Sequence, residues 1–338
     1  MGVKLGDIVT RKQLTFGELA HKTVAIDFSN CAYQFLSSIR QQDGTPLLDA
    51  KGRVTSYLMG IWTRFSNLLQ QNIKLVVVFD GTMPELKHGT SSLRHERKEL
   101  AKQLYEAAKR EKDIEEMARY AKQVSYLTSE MVDESKKLLS AMGIPFVQAP
   151  AEADAQMSYL CKQGNVWATA SSDYDSLLHG SPRMITNLTL SQRRRTSTGT
   201  VVKIFPELIE LESVLKALHI TLDQLIIVSI LSGTDYNPGG IRGIGPKKAL
   251  KLVHGTKDYD GLFKDLNAEF DWKEIMQLFK RMDVKKDCRL AWGQPDLGAI
   301  KKVLVDDHNF SENRVASTYN KLIKAGQQKE QRGLGGWI

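Results

Sequence analysis

Two short segments, Thr23-Val24-Ala25-Ile26-Asp27 and Lys74-Leu75-Val76-Val77-Val78-Phe79-Asp80, decide the fold of this chain. Both are apolar, rich in β-branched residues and end at a carboxylate, which predicts two buried strands. Residues 56–69, between them, carry apolar side chains at helical spacing. Because strand, helix, strand is the unit of a parallel sheet, we expect an α/β fold with a central, mostly parallel sheet flanked by helices.

A third segment, Val166-Trp167-Ala168-Thr169-Ala170-Ser171-Ser172-Asp173, predicts another strand that ends at a carboxylate. Ligands of parallel sheets bind outside the carboxyl ends of the strands. We therefore expect Asp27, Asp80 and Asp173 to share one crevice.

Around these strands, residues 143–147 predict a further strand and residues 150–156 the first turns of a helix. Beyond residue 204 the pattern is mainly helical, with an apolar helix at 222–231. Residues 93–123 mix Arg, Lys and Glu densely with few apolar side chains, which predicts a surface helical arch. A solvated helical hairpin is the alternative interpretation.

Composition limits the classes of function. The 338 residues are 42% hydrophobic and 25% charged, as in globular proteins, and the net charge of +8 favours polyanionic partners. Three dispersed cysteines indicate neither a disulfide framework nor a zinc site. No apolar run approaches the roughly 20 residues of a membrane helix, and no secretion signal or lipid anchor is expected.

Seven carboxylates stand at strand ends, at helix starts or just past a helix end. They are Asp27, Asp80, Glu152, Asp154, Asp173, Asp175 and Asp235. Oxygen ligands with few histidines favour Mg²⁺ or Mn²⁺, and two such ions would activate a water for phosphodiester hydrolysis. Taken singly, each acid is better explained as a helix cap or an exposed charge, and it is their joint placement that favours a metal site.

Two basic features accompany the acids. Lys87 and Arg94 follow Asp80 at the foot of the charged segment, where they could meet a phosphate or simply be solvated helix residues. The stretch Ile241-Arg242-Gly243-Ile244-Gly245-Pro246-Lys247-Lys248-Ala249 opens a helix, with Pro246 as its first residue. Backbone amides near Gly243 and Gly245, with Lys247 and Lys248, predict a contact with the backbone of duplex DNA.

Taken together, the motifs resemble those of the structure-specific flap endonucleases, in their short archaeal form, over nearly the whole chain. The residues that carry the resemblance are Met1-Gly2-Val3, Ala25-Ile26-Asp27, Tyr33-Gln34-Phe35, Val78-Phe79-Asp80-Gly81, Glu152-Ala153-Asp154-Ala155, Asp173-Tyr174-Asp175, Gly233-Thr234-Asp235-Tyr236 and Arg242-Gly243-Ile244-Gly245-Pro246-Lys247.

The resemblance implies a two-metal site beneath a helical arch and a helix-two-turn-helix that grips DNA with the help of K⁺. Asp27, Asp80, Glu152 and Asp154 would serve one metal, and Asp173, Asp175 and Asp235 the other. Lys87 and Arg94 would steer the phosphate and stabilise transition-state charge. The positions implied to lie near DNA are Gly2, Tyr33, Arg40, Arg64, Glu152, Gly233 and Asp235.

The resemblance also suggests a division of the chain. It comprises an N-terminal nuclease region at 1–98, part of the arch at 99–115 and an internal nuclease region with the helix-two-turn-helix at 116–257. A C-terminal helical region at 258–325 and a flexible tail at 326–338 follow. The tail resembles a sliding-clamp interaction box formed by Gln331, Leu334, Trp337 and Ile338.

Two residues depart from the family pattern. Asp154 stands where the family usually has Glu, so its carboxylate reaches one methylene less. Ile338 replaces the second aromatic residue of the clamp box, which weakens the expected clamp contact.

The sequence therefore predicts a monomeric, Mg²⁺-dependent 5′-flap endonuclease, with 5′-3′ exonuclease activity, that acts on flap and branched DNA in replication and repair. The expected setting is the nucleoid in the cytoplasm of an archaeon. The alternatives are a paralogous repair nuclease for bubbles or junctions and a non-catalytic DNA-binding clamp adaptor.

Overall fold

The computed structural model describes the backbone of most of the chain. The described residues are 3, 5–41, 43–111, 113, 116, 120, 126–189, 193–195 and 200–334, and the side chains of 88–95, 97, 98, 109, 193–195, 201 and 328–334 are not part of the description.

A seven-stranded sheet lies at the centre, in the order β1-β9-β6-β5-β2-β3-β4. The five strands from β6 to β4 run parallel, and β9 and β1 add an antiparallel edge. A separate ribbon pairs β7 with β8. The strands are β1 (Lys12–Gln13), β2 (Thr23–Asp27), β3 (Lys74–Phe79), β4 (Phe146–Gln148), β5 (Ala168–Ala170), β6 (Arg183–Thr186), β7 (Arg193–Arg195), β8 (Val201–Lys203) and β9 (Glu207–Glu210).

Helices cover both faces of the sheet. They are α1 (Phe28–Ser38), α2 (Ser56–Gly60), α3 (Ser66–Gln70), α4 (His88–Glu111), α5 (Ser129–Ala141), α6 (Ala153–Lys162), α7 (Asp175–Leu178), α8 (Leu211–Leu218), α9 (Leu222–Ser232), α10 (Pro246–Gly255), α11 (Tyr259–Asp265), α12 (Trp272–Arg281), α13 (Leu297–Lys301) and α14 (Glu312–Leu334). A π-helical turn, Ile61–Phe65, joins α2 to α3, a second one, Lys302–Asp306, follows α13, and a 3₁₀ turn, Glu85–Lys87, precedes α4.

The apolar strands are explained by burial on both faces. Successive side chains of a strand point to opposite faces, so Val77 packs in the core with α1 and α5, while Val76 and Val78 pack under α6. A third cluster joins α7 to α12 with the N-terminal residues Val3 and Leu5. The predicted α/β fold with a mostly parallel sheet is confirmed.

Several element boundaries differ from the sequence prediction. The segment 166–173 forms only the three-residue strand β5, and the helix expected from residue 150 begins at Ala153. The expectation of mainly helical structure after residue 204 is wrong for β9, which pairs antiparallel with β6. Its Glu-Leu-Ile-Glu segment is only four residues long and has two adjacent buried apolar residues, so it lacks the alternation that would have indicated a strand.

The suggested division of the chain stays a prediction. Helix α4 runs continuously through residues 98 and 99, across the first suggested boundary. Residues 258–281 form α11 and α12 and pack in the same cluster as α9 and α10, because their apolar faces meet there. The region 258–325 is therefore shared between two cores, since Ile300 and Val315 pack in the sheet core.

The tail expected at 326–338 is helical as far as the structure describes it. Helix α14 continues to Leu334, because no residue of its last turns is a helix breaker stronger than glycine. Within the described part of the chain, no single helix has both the length and the apolar composition to cross a bilayer, and one bent pair, Leu211–Leu218 with Leu222–Ser232, meets that test only when the two are combined.

Candidate active site

Three of the seven carboxylates lie at or just after the ends of parallel strands. Asp27 ends β2 and accepts a hydrogen bond from the Asn30 amide at 3.0 Å, which caps α1. Asp80 follows β3 and accepts from the Ala153 amide at 2.8 Å, at the start of α6. The Asn30 side-chain amide donates to Asp173 at 3.2 Å. The parallel register of the sheet thus brings these three carboxylates to one edge.

The other four carboxylates reach the same crevice from helix and loop ends. Glu152 is the N-cap residue of α6, and Asp154 lies in its first turn. Asp175 begins α7 and accepts from the Val3 amide at 3.1 Å. Asp235 lies in the loop that follows α9.

Mutual repulsion links all seven acids. Burial raises the pKa of Asp27, and the charges of Asp80 and Asp173 raise it further. Burial raises the pKa of Asp154, as do the charges of Asp27, Asp175, Asp173 and Glu152. Burial raises the pKa of Asp175 to about 7, with the charges of Asp173 and Asp235 adding to it. A concentration of buried like charge favours binding of a compensating cation.

The ammonium group of Lys87 supplies positive charge among the acids of the site. The Nζ atom of Lys87 lies 2.5 Å from Oε1 of Glu152 and 3.6 Å from Oδ2 of Asp235. Burial lowers the pKa of Lys87, but the charge and hydrogen bond of Glu152, together with the charges of Asp235 and Asp175, outweigh burial and raise the pKa above its ordinary value. Lys87 is therefore held as a cation. Arg94 lies on α4, and its side chain is outside the described residues.

The chemistry of the donor set fits hard divalent cations. Among the described side chains, no group of three or more acids, histidines or cysteines forms a ready-made metal cage. However, the buried Oδ1 atom of Asp154 has no hydrogen-bond partner among the described residues. A buried carboxylate oxygen without a donor is costly unless a cation or an ordered water satisfies it. The charges of Asp27, Asp175, Asp173 and Glu152 act on the Asp154 carboxylate, so a cation bound there would be shared with neighbouring acids.

Among the residues predicted near DNA, Tyr33 lies on α1, Arg40 follows the end of α1, and Arg64 lies in the π-helical turn Ile61–Phe65. Tyr33 on α1 is 39% exposed, which suits a stacking role better than a core role. Arg40 and Arg64 are partly buried, and burial lowers the pKa of each guanidinium. The Arg40 side chain donates to the Gly44 carbonyl at 2.8 Å. Gly2 lies outside the described residues.

The predicted phosphate-binding hairpin has the expected geometry. Gly245 is the N-cap residue of α10 and Pro246 is its first residue, as predicted. Gly243 has φ +78°, and a Cβ atom at Gly243 or at Gly245 would meet nothing within 4 Å, so the backbone there is open to a ligand. Lys247 and Lys248 are exposed on the first turn of α10.

Gly233 is required by packing. Its φ is +103°, and a Cβ atom there would lie 2.7 Å from the Gly240 amide nitrogen. The close approach fixes the loop that carries Asp235.

Of the predicted clamp box, Trp337 and Ile338 and the side chains of Gln331 and Leu334 are outside the described residues.

Three further residues support the site without having been predicted to do so. Tyr236 donates to Glu152, Asn30 donates to Asp173, and the Val3 amide donates to Asp175. Tyr236 could have been suspected from its place beside Asp235 in the Gly-Thr-Asp-Tyr motif. The Val3 contact uses a backbone amide, which leaves no sequence signal.

Comparisons of the sequence and of the structure with known proteins match the same group of nucleases. Two family models match, the XPG N-terminal domain over residues 1–101 and the XPG I-region over residues 143–235. The chain is 46% identical to flap endonuclease 1 of Staphylothermus marinus over 100% of both proteins. The solved structure of flap endonuclease-1 from Methanococcus jannaschii matches 97% of this chain and 100% of that one, at 45% identity and a TM-score of 0.77. The catalytic core of Rad2, in a complex with DNA substrate, matches 95% of this chain and 100% of that one, at 25% identity and a TM-score of 0.70.

The buried acids predict an unusual dependence of stability on pH. Because the pKa of Asp175 rises from 3.8 to about 7 on folding, its ionisation opposes folding. This unfavourable contribution is absent below pH 3.8, grows as the pH rises from 3.8 to about 7, and stays constant at higher pH. Replacing Asp175 with Asn keeps an oxygen acceptor for the Val3 amide and removes the charge.

We therefore expect the Asp175→Asn variant, in a chelating buffer, to unfold at a higher temperature than the parent at pH 8, and the difference to shrink at pH 5. Each pKa unit corresponds to about 1.4 kcal/mol, so the gain at pH 8 is a few kcal/mol at most. Calorimetric unfolding at the two pH values measures it. A variant less stable than the parent at pH 8 would contradict the electrostatic description of the site.

Proposed function

The chain belongs to the XPG nucleases as a flap endonuclease, and from this membership we propose how its residues perform the reaction. It is a structure-specific DNA endonuclease that cleaves 5′ flaps, in DNA replication and repair. The observation that carries this conclusion is identity of 45–46% to flap endonucleases over the full chain. Such similarity favours the endonuclease over a non-catalytic clamp adaptor and over a paralogous bubble or junction nuclease.

The family is metal-dependent, and we propose Mg²⁺ as the ion, with two ions per site and Mn²⁺ as a substitute. Asp27, Asp80, Glu152 and Asp154 would hold one ion, and Asp173, Asp175 and Asp235 the other. When bound, such ions supply Lewis acidity toward a phosphodiester and lower the pKa of a water. The unpaired Asp154 oxygen and the mutually raised pKa values of the buried acids support this assignment.

The roles of the two basic residues follow from charge. Lys87 has its ammonium group beside Glu152 and Asp235, close to where a phosphate would meet the carboxylates. We assign it to stabilising negative charge that develops on the phosphate in the transition state. Arg94, on α4 seven residues further along the chain, would share this role.

DNA binding is supported by the family, and we propose two contact areas for it. The hairpin with Gly243, Gly245, Lys247 and Lys248 would hold the duplex backbone, with K⁺ at the helix-two-turn-helix. The DNA would also meet Gly2, Tyr33, Arg40, Arg64 and Gly233, with Tyr33 stacked on a base near the scissile phosphate. Backbone contacts carry no sequence information, so recognition would depend on the shape of the junction.

We also propose a sliding-clamp contact through Gln331, Leu334, Trp337 and Ile338. Burial of the Leu334 and Trp337 side chains in a pocket of the clamp would supply the apolar contact. One chain contributes all seven carboxylates, which supports function as a monomer. The archaeal relatives support work at the nucleoid in the cytoplasm of an archaeal cell.

The central test is cleavage itself. With Mg²⁺, we expect the protein to cut a 5′-flap duplex and to leave the same duplex without a flap intact. The Asp175→Asn variant should bind the flap about as well as the parent, because a negative charge is removed, and should not cut it. Gel analysis of end-labelled strands and a binding titration measure both properties. Equal cutting of the two duplexes would exclude flap specificity, and an active Asp175→Asn variant would exclude its assignment as a ligand.

The hairpin predicts a salt response typical of phosphate contacts. Replacing Lys247 and Lys248 with Ala should weaken duplex binding alike for all sequences and reduce the slope of log affinity against log salt by about 0.9 per lost contact. The matched control is Lys12→Ala with Lys216→Ala, which removes two exposed charges elsewhere and should leave the slope nearly unchanged. A loss of affinity that depended on base sequence would contradict a backbone contact.

The tail prediction is a weak but specific clamp affinity. Burial of Leu334 and Trp337 at about 25 cal/mol per Å², less the cost of ordering the segment, should give a dissociation constant of about micromolar size. Ile338→Phe should tighten it, and deletion of residues 331–338 should abolish it without affecting flap cleavage in the absence of clamp. Calorimetry with the clamp of the same organism decides, and equal binding by the full-length and shortened proteins would reject the proposal.

A further inference from the structure

Glu152 is held from two sides by two different side chains. The hydroxyl of Tyr236 donates to its Oε2 atom at 2.7 Å, and the ammonium group of Lys87 lies 2.5 Å from its Oε1 atom. Glu152 and Tyr236 are 8% and 6% exposed, so water has little access to this contact. Both oxygens of the carboxylate are thus engaged, and its orientation is fixed.

Tyr236 is itself held rigidly. Its ring packs edge-on against Phe279, with ring centroids 5.2 Å apart and an interplanar angle of 70°. Its backbone amide donates to the Thr234 hydroxyl at 3.1 Å. Asn237 closes the loop, since it accepts from the Thr234 hydroxyl at 2.7 Å and donates to the Ile230 carbonyl at 2.7 Å. The hydroxyl of Tyr236 therefore meets Glu152 from a fixed position.

The contact also spans two parts of the site. Tyr236 lies in the loop between α9 and the DNA-binding hairpin, whereas Lys87 lies immediately before α4, the arch helix. Glu152, at the start of α6, is in contact with both. A lysine side chain has several free rotations, so its ammonium group keeps one position only while its carboxylate partner does.

We propose that Tyr236 is a positioning residue, whose hydroxyl fixes the carboxylate of Glu152 and, through it, the ammonium group of Lys87. The inference rests on the proposed role of Lys87 and deepens it. Without the hydroxyl, Glu152 has no donor at Oε2, and the carboxylate turns together with the ammonium group bound to it. The ammonium group of Lys87 is then no longer in the position where it would contact a phosphate bound at the site.

Tyr236→Phe removes only the hydroxyl and keeps the packing against Phe279. We expect single-turnover flap cleavage to fall about tenfold, as is typical when the partner of an active-site ligand is removed, with flap affinity unchanged. Tyr319→Phe is the matched control, because its hydroxyl donates to the Pro295 carbonyl at 3.3 Å, far along the chain from the site. That variant should cleave at the parent rate.

A double-mutant cycle tests the route of the effect. If Tyr236 acts through Lys87, Tyr236→Phe should cause little further loss in a Lys87→Ala background. Losses that multiply would overturn the proposal, because they would show that the two residues act independently.

A measurement without catalysis tests the contact directly. In the metal-free protein, acetic anhydride labelling followed by mass spectrometry should modify Lys87 several-fold faster in Tyr236→Phe than in the parent, with Lys216 as the internal reference. Glu152→Gln, a second variant, should also release Lys87 even with Tyr236 intact. Parent-like labelling in both variants would overturn the proposal. A parent that fails to cut flaps would instead reject the proposed function and leave the labelling result valid for the contact.

Discussion

Parallel pairing of β2 with β3 and β5 is the constraint on which the rest of the structure depends. It brings the strand-ending carboxylates of Asp27, Asp80 and Asp173 to one edge of the sheet, where their charges repel. The sheet can impose this arrangement because its central strands are buried on both faces, by α1 and α5 on one side and by α6 on the other. Apolar burial thus outweighs electrostatic repulsion at the site, as is common where a fold sacrifices stability for function.

Backbone amides and one lysine reduce the repulsion among the carboxylates. The Asn30, Ala153 and Val3 amides each donate to one of the acids, and Lys87 places a positive charge among them. These partners come from distant parts of the chain. The N-terminal segment, the start of α6 and the turn before the arch therefore have to be in place together, which ties the site to the completed fold.

The loop between α9 and α10 connects the site to the proposed DNA grip. It carries Asp235 and Tyr236 at one end and the exposed glycines of the hairpin at the other. Gly233 and Gly240 approach so closely that neither tolerates a side chain, and Ile244 anchors the hairpin in the core of the neighbouring helices. A duplex held at the hairpin would consequently have a defined distance to the carboxylates.

The fold class and the family could be predicted from the sequence alone, as could the strand-end and helix-start positions of the seven acids and the turn at the hairpin, because each has a local signature. Buried strands are apolar runs, helix starts favour carboxylates, and Gly-Ile-Gly-Pro-Lys-Lys is specific for a turn that opens a helix. Short elements were less predictable: β9 has only four residues, and its pairing partner β6 lies beyond a ribbon and a loop. The length of the last helix was also missed, since glycine and glutamine give little periodicity. Only the tertiary structure decided that Tyr236 contacts Glu152 and that Lys87 lies among the acids, because contacts across 84 and 65 residues depend on how the helices pack and leave no local pattern.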